Sequence, residues 1–97
     1  MKSAPQMAQE AAETLAIQAL TYIAADGERL GRFLAETGVG PAQIRRAAAE
    51  PGFLLGVLDY VVGDERLLTG FATEVGFDPL DVGNARLVLG GGNRELS

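Results

Sequence analysis

Asp26-Gly27-Glu28-Arg29-Leu30-Gly31-Arg32-Phe33-Leu34-Ala35-Glu36-Thr37-Gly38-Val39-Gly40-Pro41 returns 38 residues later as Asp64-Glu65-Arg66-Leu67-Leu68-Thr69-Gly70-Phe71-Ala72-Thr73-Glu74-Val75-Gly76-Phe77-Asp78-Pro79. Within this pair Asp26, Leu30, Phe33, Glu36, Gly38 and Pro41 meet Asp64, Leu68, Phe71, Glu74, Gly76 and Pro79. Extending the same shift adds Leu20 with Leu58, Tyr22 with Tyr60, Ala47 with Ala85 and Gly52 with Gly90. Residues 15–52 thus fall on 53–90 with ten identities and no gap, where composition alone gives about three. The shared residues are breaks, caps and apolar anchors, the types that fix a fold.

Each copy reads as three helices. An aspartate (Asp26, Asp64) has the side chain to cap the middle helix, expected over about 27–37 and 65–75. Leu30, Phe33 and Leu34, or Leu67, Leu68 and Phe71, share one face, and a glycine able to adopt the left-handed conformation ends the helix. Pro41 and Pro79 suit the first turn of the third helix, where no N–H is needed, and Asp78 stands as its cap in the second copy. The leading helices are expected from about Pro5 to Ala25 and over about 51–62. Gln6, Glu10, Thr14, Gln18 and Thr21 form a polar stripe on the first. Phe53-Leu54-Leu55-Gly56-Val57-Leu58-Asp59-Tyr60-Val61-Val62 leaves almost no polar face, which predicts a central, most buried helix. Gly31, Gly56, Gly70 and Gly83 fall inside helices, each costing about 1 kcal/mol against alanine. Of these Gly56, on the most apolar helix, is the expected close crossing. No segment alternates apolar with polar residues, so strands are not expected. Two repeats are too few for a solenoid. The expectation is all-α: a compact six-helix bundle of two 38-residue three-helix repeats with pseudo-two-fold symmetry, one domain over residues 1–97, with 91–97 as a flexible tail.

Composition narrows the chemistry. The 97 residues contain no histidine and no cysteine, and Ser3 and Ser97 are the only serines. That removes Ser–His and Cys–His nucleophiles and imidazole or thiolate zinc sites. Lys2 is the sole lysine, and Gly90-Gly91-Gly92 follows a helix instead of opening one, so it is no phosphate loop. No catalytic residue, cofactor or metal is inferred, and the chain is not expected to be an enzyme. Asp59 aligns with Thr21 of the polar stripe and therefore marks a solvent edge. Tyr22 and Tyr60 are expected as core rings with a hydroxyl at an edge. The absence of cysteine, of a secretory signal and of any apolar run near the ~18 residues that span a bilayer fits a cytoplasmic protein.

Net charge is −5, which disfavours unspecific binding to nucleic acid or anionic membranes. Charge differs between the copies: residues 26–52 balance Asp26, Glu28, Glu36 and Glu50 against Arg29, Arg32, Arg45 and Arg46, whereas 53–90 carry a net −4. The leading reading is a non-catalytic helical scaffold or protein-interaction module. Arg29, Arg32, Arg45 and Arg46 form its candidate partner surface, for an acidic protein or for self-association through the acidic second half. No small-molecule ligand is inferred. The alternative is a nucleic-acid-associated regulator, because residues 33–46 have the spacing of a helix-turn-helix with Arg45 and Arg46 on the second helix. The second copy keeps that spacing but opens its helix with Asp78-Pro79-Leu80-Asp81, which repels phosphates. A structural corner is therefore preferred.

Phe53-Leu54-Leu55-Gly56-Val57-Leu58-Asp59-Tyr60, Asp64-Glu65 and Gly76-Phe77-Asp78-Pro79 carry one further signal. Over about residues 8–90 the chain resembles a family of small, uncharacterised, all-helical bacterial proteins, a domain-of-unknown-function family found mainly in alphaproteobacteria. The resemblance implies a helical fold and a bacterial cytoplasmic setting, and no functional residue carries over from it.

Overall fold

A computed structural model describes residues 8–90, and all of the regular structure in them is helical. The elements are α1 (Gln9–Ala24), α2 (Gly27–Thr37), a 3-10 turn (Pro41–Gln43), α3 (Ile44–Ala47), α4 (Pro51–Val62), α5 (Glu65–Val75) and α6 (Pro79–Leu89). The start signals at Ser3 and Pro5, Gln6 of the polar stripe and the tail expected over 91–97 lie outside the described residues.

The starts of α2, α5 and α6 and the ends of α2 and α5 have local causes. Asp26 accepts the Arg29 N–H at 3.0 Å, Asp64 accepts those of Arg66 and Leu67 at 3.1 Å, and Asp78 accepts that of Leu80 at 2.9 Å. These bonds satisfy donors that a helix N-terminus leaves orphaned. Gly38 and Gly76 end α2 and α5 at φ 77° and 90°, where a side chain would strain the backbone. Their N–H groups return to the Leu34 and Ala72 carbonyls.

α1, α4 and α6 pack on one another, α2 lies against α1, and α5 lies against α4. Ala12, Ala16 and Ala19 on α1 are fully buried, so three small side chains face the partner helices. Leu54, Val57, Leu58 and Val61 of α4 and Val82 and Ala85 of α6 fill the same core. Phe33 and Phe71, at matching places in α2 and α5, are completely buried. Two of the aromatic contacts cross between the copies as an exchanged pair. Tyr22 tilts on Phe71 with centroids 5.6 Å apart, and Tyr60 meets Phe33 edge-on at 5.1 Å. Glu10, Thr14, Gln18 and Thr21 are exposed along α1, and so is the apolar Ile17 beside them.

Three expectations need correction. The third helices differ: α6 has 11 residues, whereas the first copy forms a 3-10 turn and a single α-turn. Ala42 and Gln43 bring no apolar anchor there, while Val82, Ala85, Val88 and Leu89 tie α6 to the core. The central place is shared, because α4 keeps an exposed edge of Gly52, Gly56 and Asp59 while α1 buries Ala12, Leu15, Ala16, Ala19, Leu20 and Ile23. Finally, Gly56 is not a close crossing, since a β-carbon built there meets nothing within 4 Å. Gly70 is the tight position, where the same atom would lie 2.5 Å from the Tyr22 hydroxyl. Gly56→Ala is accordingly expected to stabilise the fold by up to about 1 kcal/mol, read as a higher urea midpoint. A lower midpoint would show that the edge is occupied.

Candidate functional site at the seam between the halves

The N-terminal turns of α2 and α5 face each other across a cavity of about 340 Å³. Asp26, Glu28 and Arg29 line it from one side and Asp64, Arg66 and Leu67 from the other. These are the same three positions under the 38-residue shift. Arg32 and Tyr60 complete the wall. Three of the chain's seven arginines therefore converge on one cavity.

The three guanidinium groups are not equally available. Arg29 donates from Nη2 and Nε to the Tyr22 carbonyl at 2.8 and 3.3 Å, and its carbon lies 4.0 Å from the centre of the Tyr22 ring. That carbonyl belongs to the last turn of α1, where it also accepts the Ala25 N–H at 3.3 Å and the helix dipole favours a cation. Arg29 is thus a clamp between α1 and α2. Among the described residues Arg32 reaches one carboxylate, Asp64, at 3.9 Å, and its side chain is 67% exposed. Arg66 makes no side-chain hydrogen bond or ion pair with another described residue. The acids are partly committed as well, because Asp26 and Asp64 are the helix caps.

Tyr60 joins this cavity to a neighbouring acidic groove of about 450 Å³ formed with Glu36, Asp59, Asp64 and Glu65. Burial raises the Tyr60 phenol above its ordinary pKa, Glu36 adds to this, Arg32 opposes it, and Asp64 adds a smaller push. The phenol therefore keeps its proton, and its O–H stays a donor, well into alkaline solution.

Of the four arginines singled out in the sequence, Arg29 and Arg32 line the cavity; Arg45 and Arg46 do not. Those two are exposed on α3 and make no ion pair with a described residue. α3 is one turn of four residues, about 6 Å long, which is a poor recognition element for a DNA groove. Arg66 was not singled out, and Tyr60 was read only as a core ring with a hydroxyl at an edge. The signal for Arg66 was the reversal of Glu28 to arginine under the repeat. Asp59 stands on the exposed edge of α4 and is ion-paired with Arg86 of α6, so it is a surface link between helices.

A family profile described as "Protein of unknown function (DUF3572)" matches residues 9–92. The chain belongs to the DUF3572 family. No curated protein and no solved structure matches it. The DUF3572 assignment agrees with the resemblance drawn from the α4 and α5 motifs, and it attaches no activity to the seam. No described helix of this DUF3572 member is long and apolar enough to cross a membrane. Nor do its described residues contain a group of three or more acidic side chains placed to hold a metal ion.

Proposed function

We propose that the chain is a non-catalytic helical module that binds an acidic protein segment at the seam between its two halves. The observation that carries this reading is the convergence of Arg29, Arg32 and Arg66 on one cavity, with Arg66 unpaired among the described residues. Arg32 and Arg66 are the contacting groups, and Arg29 braces the wall. Buried interaction arginines are frequent energetic anchors because one planar fork makes several directed hydrogen bonds.

The two halves are copies of one 38-residue unit arranged about a pseudo-two-fold axis through the seam. The crosswise pairs Tyr22–Phe71 and Tyr60–Phe33 support this arrangement, because the repeat shift exchanges one pair for the other. So do the equivalent residues on the two cavity walls. A site on such an axis can become asymmetric by few changes. Under the shift the counterpart of Glu28 is Arg66, that of Arg29 is Leu67, and that of Arg32 is Gly70.

The test is affinity capture from the native cell extract with wild type, with Arg32→Gln/Arg66→Gln and with Arg45→Gln/Arg46→Gln. Parallel samples are treated with nuclease. A protein held by wild type and by the α3 variant, but lost with the seam variant, is the expected result. Retention by the seam variant would overturn the assignment. Loss on nuclease treatment, or with the α3 variant alone, would favour the nucleic-acid alternative through residues 33–46.

A further inference from the structure

Resting on the seam as the binding site, we infer that the group recognised there is a single oxyanion, a carboxylate or phosphate head, gripped between Arg32 and Arg66 with the Tyr60 hydroxyl as a third donor.

The hydrogen-bonding character of the ligand follows from which donors and acceptors of the wall are already engaged. The cavity carries three arginines and three acids, so a plain count is neutral. Asp26 is bound to the Arg29 N–H, and Asp64 accepts two N–H groups through one oxygen. Arg29 is bound to the Tyr22 carbonyl and covers its ring. What remains is Arg66 with no partner among the described residues, Arg32 with one distant partner, and Glu28, exposed on the rim. Hydrogen bonds to neutral backbone groups leave the wall charges in place, so the wall stays balanced in charge; what it offers in excess is free guanidinium N–H donors, from Arg32 and Arg66. Arg forks hold carboxylate and phosphate oxygens alike, by paired charge-assisted hydrogen bonds.

The size of the ligand follows from the walls. A cavity of about 340 Å³ lies at the small end of ligand sites, enough for one acidic side chain, a chain end or a phosphate group. Ile23 and Leu67 supply an apolar floor beside the charges. Asp64 is the built-in competitor: an incoming oxyanion takes the place of its long contact with Arg32, leaving the two cap hydrogen bonds intact. Tyr60, neutral at ordinary pH, can donate without losing a proton. The neighbouring groove bears only acids besides Tyr60 and Gly63, so the oxyanion is confined to the arginine side.

The experiment is a proton–nitrogen NMR titration of the full chain with inorganic phosphate and, separately, with acetate. Chloride holds ionic strength constant and serves as the control. Saturable shifts at Arg66, Leu67 and Tyr60 are expected, absent with chloride. Arg66→Gln and Arg32→Gln should each weaken the fitted affinity about tenfold, while Arg45→Gln leaves it unchanged. The two arms tell a phosphate-bearing source from a carboxylate-bearing one. Shifts that fail to saturate, that chloride reproduces, or that persist in Arg32→Gln/Arg66→Gln overturn the inference. A positive titration beside a failed capture would keep the oxyanion site and reject the acidic protein partner. The reverse pattern would keep the partner surface and reject the cavity as its contact.

Discussion

Replacing Phe33 with alanine is expected to cost about 3–5 kcal/mol, and Phe71→Ala the same. Each ring is fully buried, so truncation removes its transfer free energy and leaves a cavity. Each also anchors two aromatic neighbours. Phe33 meets Tyr60 and Phe53 at 5.1 and 6.1 Å, and Phe71 meets Tyr22 and Phe77 at 5.6 and 5.9 Å. A domain of this size has a total stability of about 5–15 kcal/mol, so either variant will be near the edge of folding at 37 °C. Urea unfolding followed by circular dichroism gives the cost directly. A loss under about 1 kcal/mol for both would mean that the crosswise aromatic pairs do not hold the halves together.

Gly70→Ala is expected to destabilise by about 1–3 kcal/mol, although alanine is the better helix former. The new β-carbon would stand 2.5 Å from the Tyr22 hydroxyl. Tyr22 cannot swing aside freely, because one face of its ring carries Arg29 and Phe71 packs close by. The ring carbon bearing the hydroxyl would be 3.6 Å away, an ordinary contact, so the clash belongs to the oxygen alone. In a Tyr22→Phe background the same substitution should therefore become neutral or stabilising by up to about 1 kcal/mol. A double-mutant cycle measures this change of sign. If Gly70→Ala costs the same in both backgrounds, the hydroxyl is not the obstacle.

These two cases show where the sequence was legible. Caps at Asp26, Asp64 and Asp78 and stops at Gly38 and Gly76 are local events, decided by a side chain and its own backbone within four residues. They could be read directly, and α2, α4, α5 and α6 have the expected bounds. Gly56 and Gly70 look alike in sequence, because both interrupt a helix. What separates them is a hydroxyl from a helix some 48 positions away in the chain, which no local pattern encodes. The third helices misled for a related reason. Pro41 announces a start as clearly as Pro79 does, but only α6 has apolar residues enough to be held by α1 and α4.

The seam was half legible. Arg29 and Arg32 stood out by charge, yet their roles diverge through tertiary contacts: one caps a carbonyl of α1, the other reaches across to α5. Arg66 was hidden because it lies in the acidic copy, where its charge is outvoted by neighbours. Comparing the copies position by position, instead of by net charge, exposes it as the reversal of Glu28. Arg45 and Arg46 drew attention as a basic pair, but adjacent residues on a helix point about 100° apart and need not share a target.

The packing of α1 on α6 has a bearing on how the chain matures. The first and last described helices are mutual partners, separated by 70 positions from Gln9 to Pro79. At synthesis rates of about 5–20 residues per second, α1 waits about 4–14 seconds for its partner to be made. For most of that interval α4 is also unmade, and once it is made the buried alanine face of α1 still lacks its third wall. The core closes only once α6 has been made, so a message truncated before Val82 would yield a chain with no completed fold to protect it from proteolysis.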